Sequence, residues 1–229
     1  MGVIVAKSVN EACALLAENP DTTVLAGGTD LMVQVNKGAN SLENVVDLTR
    51  ISELKEWTIN DNEIVLGSGI SYSDLSKPEL ASILPALAQA SRTVGSPQIR
   101  NAGTLGGNLA TASPAGDTIP VLVAMNAILN LRSSTGQREI SVDEFVTGVK
   151  SNALHAGEII ESVRLPLLEG PQEFLKVGIR NAMVISVVSL ALLVDDKGKS
   201  LRVGVGSVSP VPFRAVSYTH LTLPKILLV

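Results

Sequence analysis

Two glycine-rich stretches, Ala26-Gly-Gly-Thr-Asp-Leu31 and Gly103-Thr-Leu-Gly-Gly-Asn108, bring together the residue types best suited to chemistry in this chain. Neither holds a Lys, Arg or His, so an anion there is met by backbone N–H groups, which in successive turns form a concave cradle. Glycines at 103, 106 and 107 admit positive φ and close backbone approach, while Thr29, Thr104 and Asn108 add hydroxyl and amide groups. The first stretch follows an apolar run, residues 24–26, read as a short buried strand. It precedes a short amphipathic helix through Asn36 that Thr29 or Asp30 can cap. The start of that helix suits an anion too. The second stretch lies in residues 95–117, a segment rich in Gly, Ser, Thr, Asn and Pro with Ile99, Leu105 and Leu109 spaced through it as anchors. A loop that long within a compact domain points to function. Two cradles far apart in sequence suit the two halves of one pyrophosphate. The spacing excludes the G-x-G-x-x-G dinucleotide fingerprint, and no Gly-Lys-Ser/Thr follows to make a P-loop.

Composition narrows the chemistry further. At 229 residues, with 45% hydrophobic and 17% charged side chains, the chain has room for one large domain or two modest ones around a real core. Its 18 basic and 22 acidic side chains give a net charge of −4, with no basic cluster and with only one Trp, two Tyr and three Phe. The footprint of a nucleic-acid binder is missing. Cys13 is the one cysteine, so no internal disulfide, zinc cage or iron–sulfur cage is held by this chain, and it packs in the first helix as a small hydrophobe. His155 and His220 are too dispersed for a metal site. No nucleophile–base pair or paired carboxylate emerges, which assigns the hard chemistry to a cofactor. No secretory leader opens the chain, and no apolar run approaches the ~20 residues that span a bilayer, so it reads as cytoplasmic.

The elements that position the two stretches follow from pattern. Ser8-Val-Asn-Glu11 is a capping box and starts a helix through Glu18, with Leu15 and Leu16 on its buried side. A strand is expected at 44–48, a turn of helix at 51–54, and a hairpin of 56–59 with 63–67 around Asn60-Asp-Asn62. Ser73 and Asp74 enter a short helix, and an Ala- and Leu-rich helix over 78–94 delivers the long loop. Apolar runs at 121–124 and 127–132 follow, the second turning back at 138–140. Ser141-Val-Asp-Glu144 opens another helix, and 158–165 alternates as a strand. Beyond a boundary near residues 167–171, strands are expected at 174–179, 184–194 and 201–208. Strands and helices without a strict βαβ repeat indicate an α+β fold.

Ala26-Gly-Gly-Thr-Asp-Leu31, Ile99-Arg-Asn-Ala-Gly-Thr-Leu-Gly-Gly-Asn108 and Ser113-Pro-Ala-Gly-Asp117 together resemble the FAD-binding (medium) subunit of molybdenum hydroxylases, the family of xanthine dehydrogenase and aerobic carbon monoxide dehydrogenase. The likeness runs in order over residues 3–215. It implies a two-part FAD-binding domain of the vanillyl-alcohol-oxidase-like (PCMH-type) kind over 1–168, then a smaller, truncated C-terminal α+β domain over 169–215. Residues 216–229 do not look like the family's continuation and resemble an artefactual, adapter-like tail.

The resemblance also implies a site. The first loop, Val24, Leu25, Ala26, Gly27, Gly28, Thr29, Asp30 and Leu31, and the second, Thr104, Leu105, Gly106, Gly107 and Asn108, would wrap the FAD pyrophosphate and ribityl chain. Val94 and Ile160 would lie against the isoalloxazine, Asp117 would make a polar contact, and Lys176 would reach the flavin edge. Arg100, read from its own position, locks the loop through an ion pair or carbonyl contacts. No catalytic residue or metal ligand is assigned. Molybdopterin and 2Fe-2S clusters would sit in partner subunits, with electrons leaving this chain for NAD, a quinone or oxygen. No cysteine-bearing insertion of the benzoyl-CoA-type reductases is present. Two alternatives remain: a self-contained flavin reductase of the same fold, and an assembly module that has lost flavin.

Overall fold

The computed structural model describes residues 2–38, 42–197 and 199–215; the expected tail at 216–229 lies outside the described residues. A three-stranded parallel sheet opens the chain, with strands β1 (Gly2–Val5), β2 (Thr23–Leu25) and β3 (Asn44–Asp47) in the order β1-β3-β2. Helix α1 (Val9–Glu18) is the crossover between β1 and β2. Its N-cap Ser8 accepts from the Glu11 N–H, and Glu11 reaches back to the N–H of Lys7 at 2.7 Å. It buries Val9, Ala12, Cys13 and Leu16, while Leu15 packs only at the margin. Burial pushes the Cys13 thiol up, away from reactivity. Helix α2 (Leu31–Asn36) follows β2, and a 3-10 turn at Glu53–Lys55 follows β3.

The second sheet holds the main core. Strands β4 (Trp57–Asn60), β5 (Glu63–Gly67), β6 (Ile128–Ser133), β7 (Gly136–Ser141) and β10 (Ile159–Pro166) run in the antiparallel order β4-β5-β10-β6-β7. Between β5 and β6 come α3 (Tyr72–Leu75), α4 (Pro78–Ile83), α5 (Pro85–Thr93), α6 (Pro97–Ala102), α7 (Leu105–Thr111) and α8 (Ile119–Ala124). Helix α9 (Val142–Phe145) and the short pair β8 (Val146–Gly148) and β9 (Ser151–Asn152) lie between β7 and β10. Arg138 on β7 donates to both carboxylate oxygens of Glu158 at 2.8 Å and to the Ala153 carbonyl, fixing the segment that leads into β10. That guanidinium holds the Glu158 carboxyl below the usual range.

Two expectations are corrected in this region, and one apolar run without an assigned element is placed. The single helix over 78–94 is two helices, because Pro85 lacks an N–H and takes the first position of α5. The apolar run 121–124 belongs to α8, all of whose residues are buried. The expected 95–117 loop contains α6 and α7, started by Ser96 accepting from Ile99 N–H and Thr104 accepting from Gly107 N–H.

The last sheet is antiparallel, β11 (Gln172–Val177), β12 (Val188–Asp195), β13 (Ser200–Gly206) and β14 (Phe213–Arg214) in sequential order. The strand expected at 184–194 starts only at Val188. Its buried residues Phe174, Ala191 and Leu193 join the main core. α8 packs against β12 and β13, and a Cβ on Gly204 would fall 1.9 Å from the Pro120 carbonyl oxygen. The sheet therefore rests on the helix backbone. No described helix is long and apolar enough to cross a membrane.

Candidate functional site

The two glycine-rich stretches meet backbone to backbone. A Cβ built on Gly27 would fall 1.9 Å from the carbonyl oxygen of Ala102, at the end of α6. Nothing but glycine allows that approach. Gly28 has φ +69°, in the left-handed region, and turns the chain into α2. Asp30 occupies the N-cap position but makes no side-chain cap, which corrects the expected role. Its carboxylate accepts from Gln34 Nε2 at 2.5 Å and stands 3.8 Å from Lys150 Nζ. The main-chain N–H groups of Gly27, Gly28, Thr29 and Asp30 donate to no other group among the described residues.

The second stretch turns out differently. Leu105 N–H donates to Ile70 O at 3.0 Å, Gly106 N–H to Ser68 O at 2.8 Å, and Asn108 N–H to Thr104 O at 3.0 Å. Gly107 N–H donates to Thr104 Oγ1 at 3.0 Å. The backbone donors at 105–108 are thus taken, two by the carbonyls of Ile70 and Ser68 and two by Thr104 at the start of α7, and none of Gly103, Gly106 and Gly107 has positive φ. What the stretch offers is space. A Cβ on Gly106 would meet Ser68 Cβ at 2.6 Å, whereas on Gly107 it would meet only Thr104 Oγ1, at 3.0 Å. Gly106 lets α7 pack, and Gly107 leaves an opening. Asn108 Oδ1 accepts from Thr118 Oγ1 at 2.6 Å, which fixes the amide.

A buried ion pair joins sequence positions far apart. Lys176, on β11, donates from Nζ to Asp117 Oδ2 at 2.5 Å and to the Thr93 carbonyl at 3.3 Å. Thr93 Oγ1 donates to the same Asp117 oxygen at 2.9 Å. The two charged side chains are 9% and 4% exposed. Asp117 Oδ1 is buried with no partner among the described residues. Burial pushes the Asp117 carboxyl up, with Lys176 and Thr93 pulling the other way. The Tyr72 phenol is raised too, by burial first and then by the Asp117 charge. Sequence reasoning singled out Asp117 and Lys176 separately, and it missed Thr93 and Tyr72.

Tyr72, Asp117 and Lys176 line one cavity of about 1150 Å³ together with both glycine-rich stretches, and Thr93 braces the ion pair from behind its wall. Its wall includes every expected contact residue except Leu25 and Leu105. Leu105 is wholly buried in the core, and Leu25 lies beneath Gly28, its Cδ1 within 3.1 Å of where a Cβ there would be. The volume is above the ~300–1,000 Å³ of sites for drug-sized ligands, large enough for a dinucleotide. Free backbone donors suit a pyrophosphate, apolar Val94 and Ile160 suit a ring face, and the orphaned Asp117 oxygen suits an N–H or O–H donor. The residues fit FAD.

A family model described as the FAD binding domain in molybdopterin dehydrogenase matches residues 1–168. The chain belongs to that family. Among the relatives of this FAD-binding family, the glyceraldehyde dehydrogenase medium chain of Sulfolobus acidocaldarius is 33% identical over 215 residues, covering 92% of this chain and 76% of its own. The nicotinate dehydrogenase FAD-subunit of Eubacterium barkeri is 34% identical over 222 residues, covering 91% and 75%. In solved structures, a chain of carbon monoxide dehydrogenase from Hydrogenophaga pseudoflava superposes with a TM-score of 0.90 at 27% identity, over 98% of this chain and 82% of that one. Quinoline 2-oxidoreductase from Pseudomonas putida 86 shares the fold at 24% identity, with a TM-score of 0.90 over 99% and 81%. The α+β fold is shared with these solved chains, and the chain is the flavoprotein component of an oxidoreductase of the molybdenum hydroxylase type.

Proposed function

We propose that this FAD-binding subunit is an electron carrier, passing electrons from the iron–sulfur clusters of one partner subunit, fed by a molybdopterin-binding partner, to NAD, a quinone or oxygen. The single observation behind it is the cavity that pairs unspent backbone donors at Gly27–Asp30 with a buried, unpartnered carboxylate oxygen on Asp117. Bound FAD supplies the exchange of electrons singly or in pairs that such a link needs. In this reading residues 1–168 form the FAD-binding domain and residues 169–215 belong to a second domain that contributes Lys176.

The chain's own residues have separate tasks. Gly27, Gly28, Thr29 and Asp30 bind the pyrophosphate through main-chain donors, with Val24, Ala26 and Leu31 walling that part of the cavity. Thr104, Gly106, Gly107 and Asn108 make a fixed floor along the ribityl chain with Leu105 supporting it from behind, while Leu25 supports the Gly28 turn. Val94 and Ile160 keep water from the ring, and Asp117 with Lys176 orients its polar edge. One cysteine cannot supply the four thiolates of an iron–sulfur cluster, which is why partners enter the proposal.

The test is activity of the FAD-loaded chain alone. Incubated with purines, aldehydes or carbon monoxide and a dye acceptor, it is expected to oxidise none of them. Turnover of any of these substrates by the chain free of partner subunits would overturn the electron-carrier reading.

A further inference from the structure

The C-terminal turn of α5 is held by two cations on three consecutive carbonyls. Lys176 Nζ donates to Thr93 O at 3.3 Å, and Arg100 Nη1 donates to Val94 O at 3.1 Å and to Gly95 O at 2.9 Å. Lys176 is matched by Asp117; Arg100 has no acidic partner among the described residues. Its half-buried guanidinium folds back from the last turn of α6, behind a turn in which Gly95 has φ +45°. A cation is favoured at a helix C-terminus, where unpaired carbonyls gather negative charge. The residues it braces, Val94 and Gly95, line the cavity, and so do Ile99, Asn101 and Ala102 around it. Arg100 itself is not in the lining.

We infer that Arg100 is a positioning residue for the flavin ring: it fixes the Val94–Gly95 turn that forms one wall of the cavity. The inference rests on the FAD reading above, and on Val94 being the ring-facing residue of that turn. A neutral side chain at 100 leaves two carbonyls unpaired and the turn free to shift, while the ion pair of Lys176 with Asp117 still holds Thr93.

The experiment compares the wild-type chain with Arg100→Gln and Arg100→Lys by FAD titration, the visible spectrum of bound flavin, and circular dichroism. Arg100→Gln is expected to stay folded, to bind FAD roughly tenfold more weakly, and to give a flavin band closer to that of free FAD. Arg100→Lys, which keeps the charge, should recover part of both. Wild-type affinity and spectrum in folded Arg100→Gln would overturn the inference. So would a loss of flavin that merely tracks loss of folded protein, with the folded fraction unchanged in spectrum. A wild-type chain that binds no FAD would instead defeat the FAD reading itself.

Discussion

Gly107→Val is expected to leave the protein folded and to weaken its hold on flavin. The position is helical, its N–H is already given to Thr104 Oγ1, and a Cβ there meets only that hydroxyl. Valine is no worse a helix former than glycine, so the fold tolerates it. The added methyls go into the cavity that the FAD reading fills. Forcing extra methylenes into a packed site costs about 1–3 kcal/mol, which weakens binding by about 5- to 150-fold. Gly106→Val is the control, because its Cβ would fall 2.6 Å from Ser68 Cβ and 3.0 Å from the Ser68 carbonyl oxygen. That variant should lose stability together with flavin. Circular dichroism and flavin absorbance on the same samples separate the two. A folded Gly107→Val protein that binds FAD as tightly as wild type in a titration would remove Gly107 from the cavity floor.

Lys176→Met should cost several kcal/mol of stability. It leaves the 4%-exposed Asp117 carboxylate without its cation, and breaking a buried pair in this way costs about 3–5 kcal/mol. The deficit depends on pH in a defined direction. Burial already raises the Asp117 carboxyl above its ordinary value, and removing Lys176 raises it further. A carboxyl raised in the folded state binds its proton more tightly there than in the unfolded chain. Its favourable contribution is full below the unfolded value and is lost as pH rises through the folded one. The melting difference between wild type and Lys176→Met should therefore be larger at neutral pH than in mild acid. The double variant Asp117→Asn, Lys176→Met, which buries no charge, should regain much of the loss. Equal melting temperatures for wild type and Lys176→Met across this range would show that the pair contributes nothing.

The parts of the site visible in the sequence are those set by neighbours in the chain. Gly27-Gly28 signals a tight, side-chain-free turn after an apolar run, and the structure explains each glycine, one by contact with Ala102 and the other by φ +69°. Ser8 and Ser141 were readable as helix starts because capping acts over three residues. What stayed hidden depends on distance or on short length. Helices α6 and α7 have six and seven residues, too few for a 3.6-residue period to emerge from Gly- and Asn-rich sequence. With Thr104 capping α7 and the carbonyls of Ile70 and Ser68 reaching Leu105 and Gly106, the N–H groups of 105–108 are taken, which composition alone does not reveal. The pairing of Lys176 with Asp117 spans 59 positions, and the burial that gives it weight arises only when β11 closes on α5. Tyr72 carried no signal, since a lone tyrosine in a short helix looks like core.

The identity of the cofactor tests the central claim most directly. The purified chain is to be denatured and the released small molecule separated by chromatography against FAD and FMN standards, with circular dichroism recorded beforehand. Free donors at Gly27–Asp30 and a cavity of about 1150 Å³ accommodate a dinucleotide, and the family is FAD-binding, so FAD is expected, at about one per folded chain. FMN, or no flavin from well-folded protein, would contradict it.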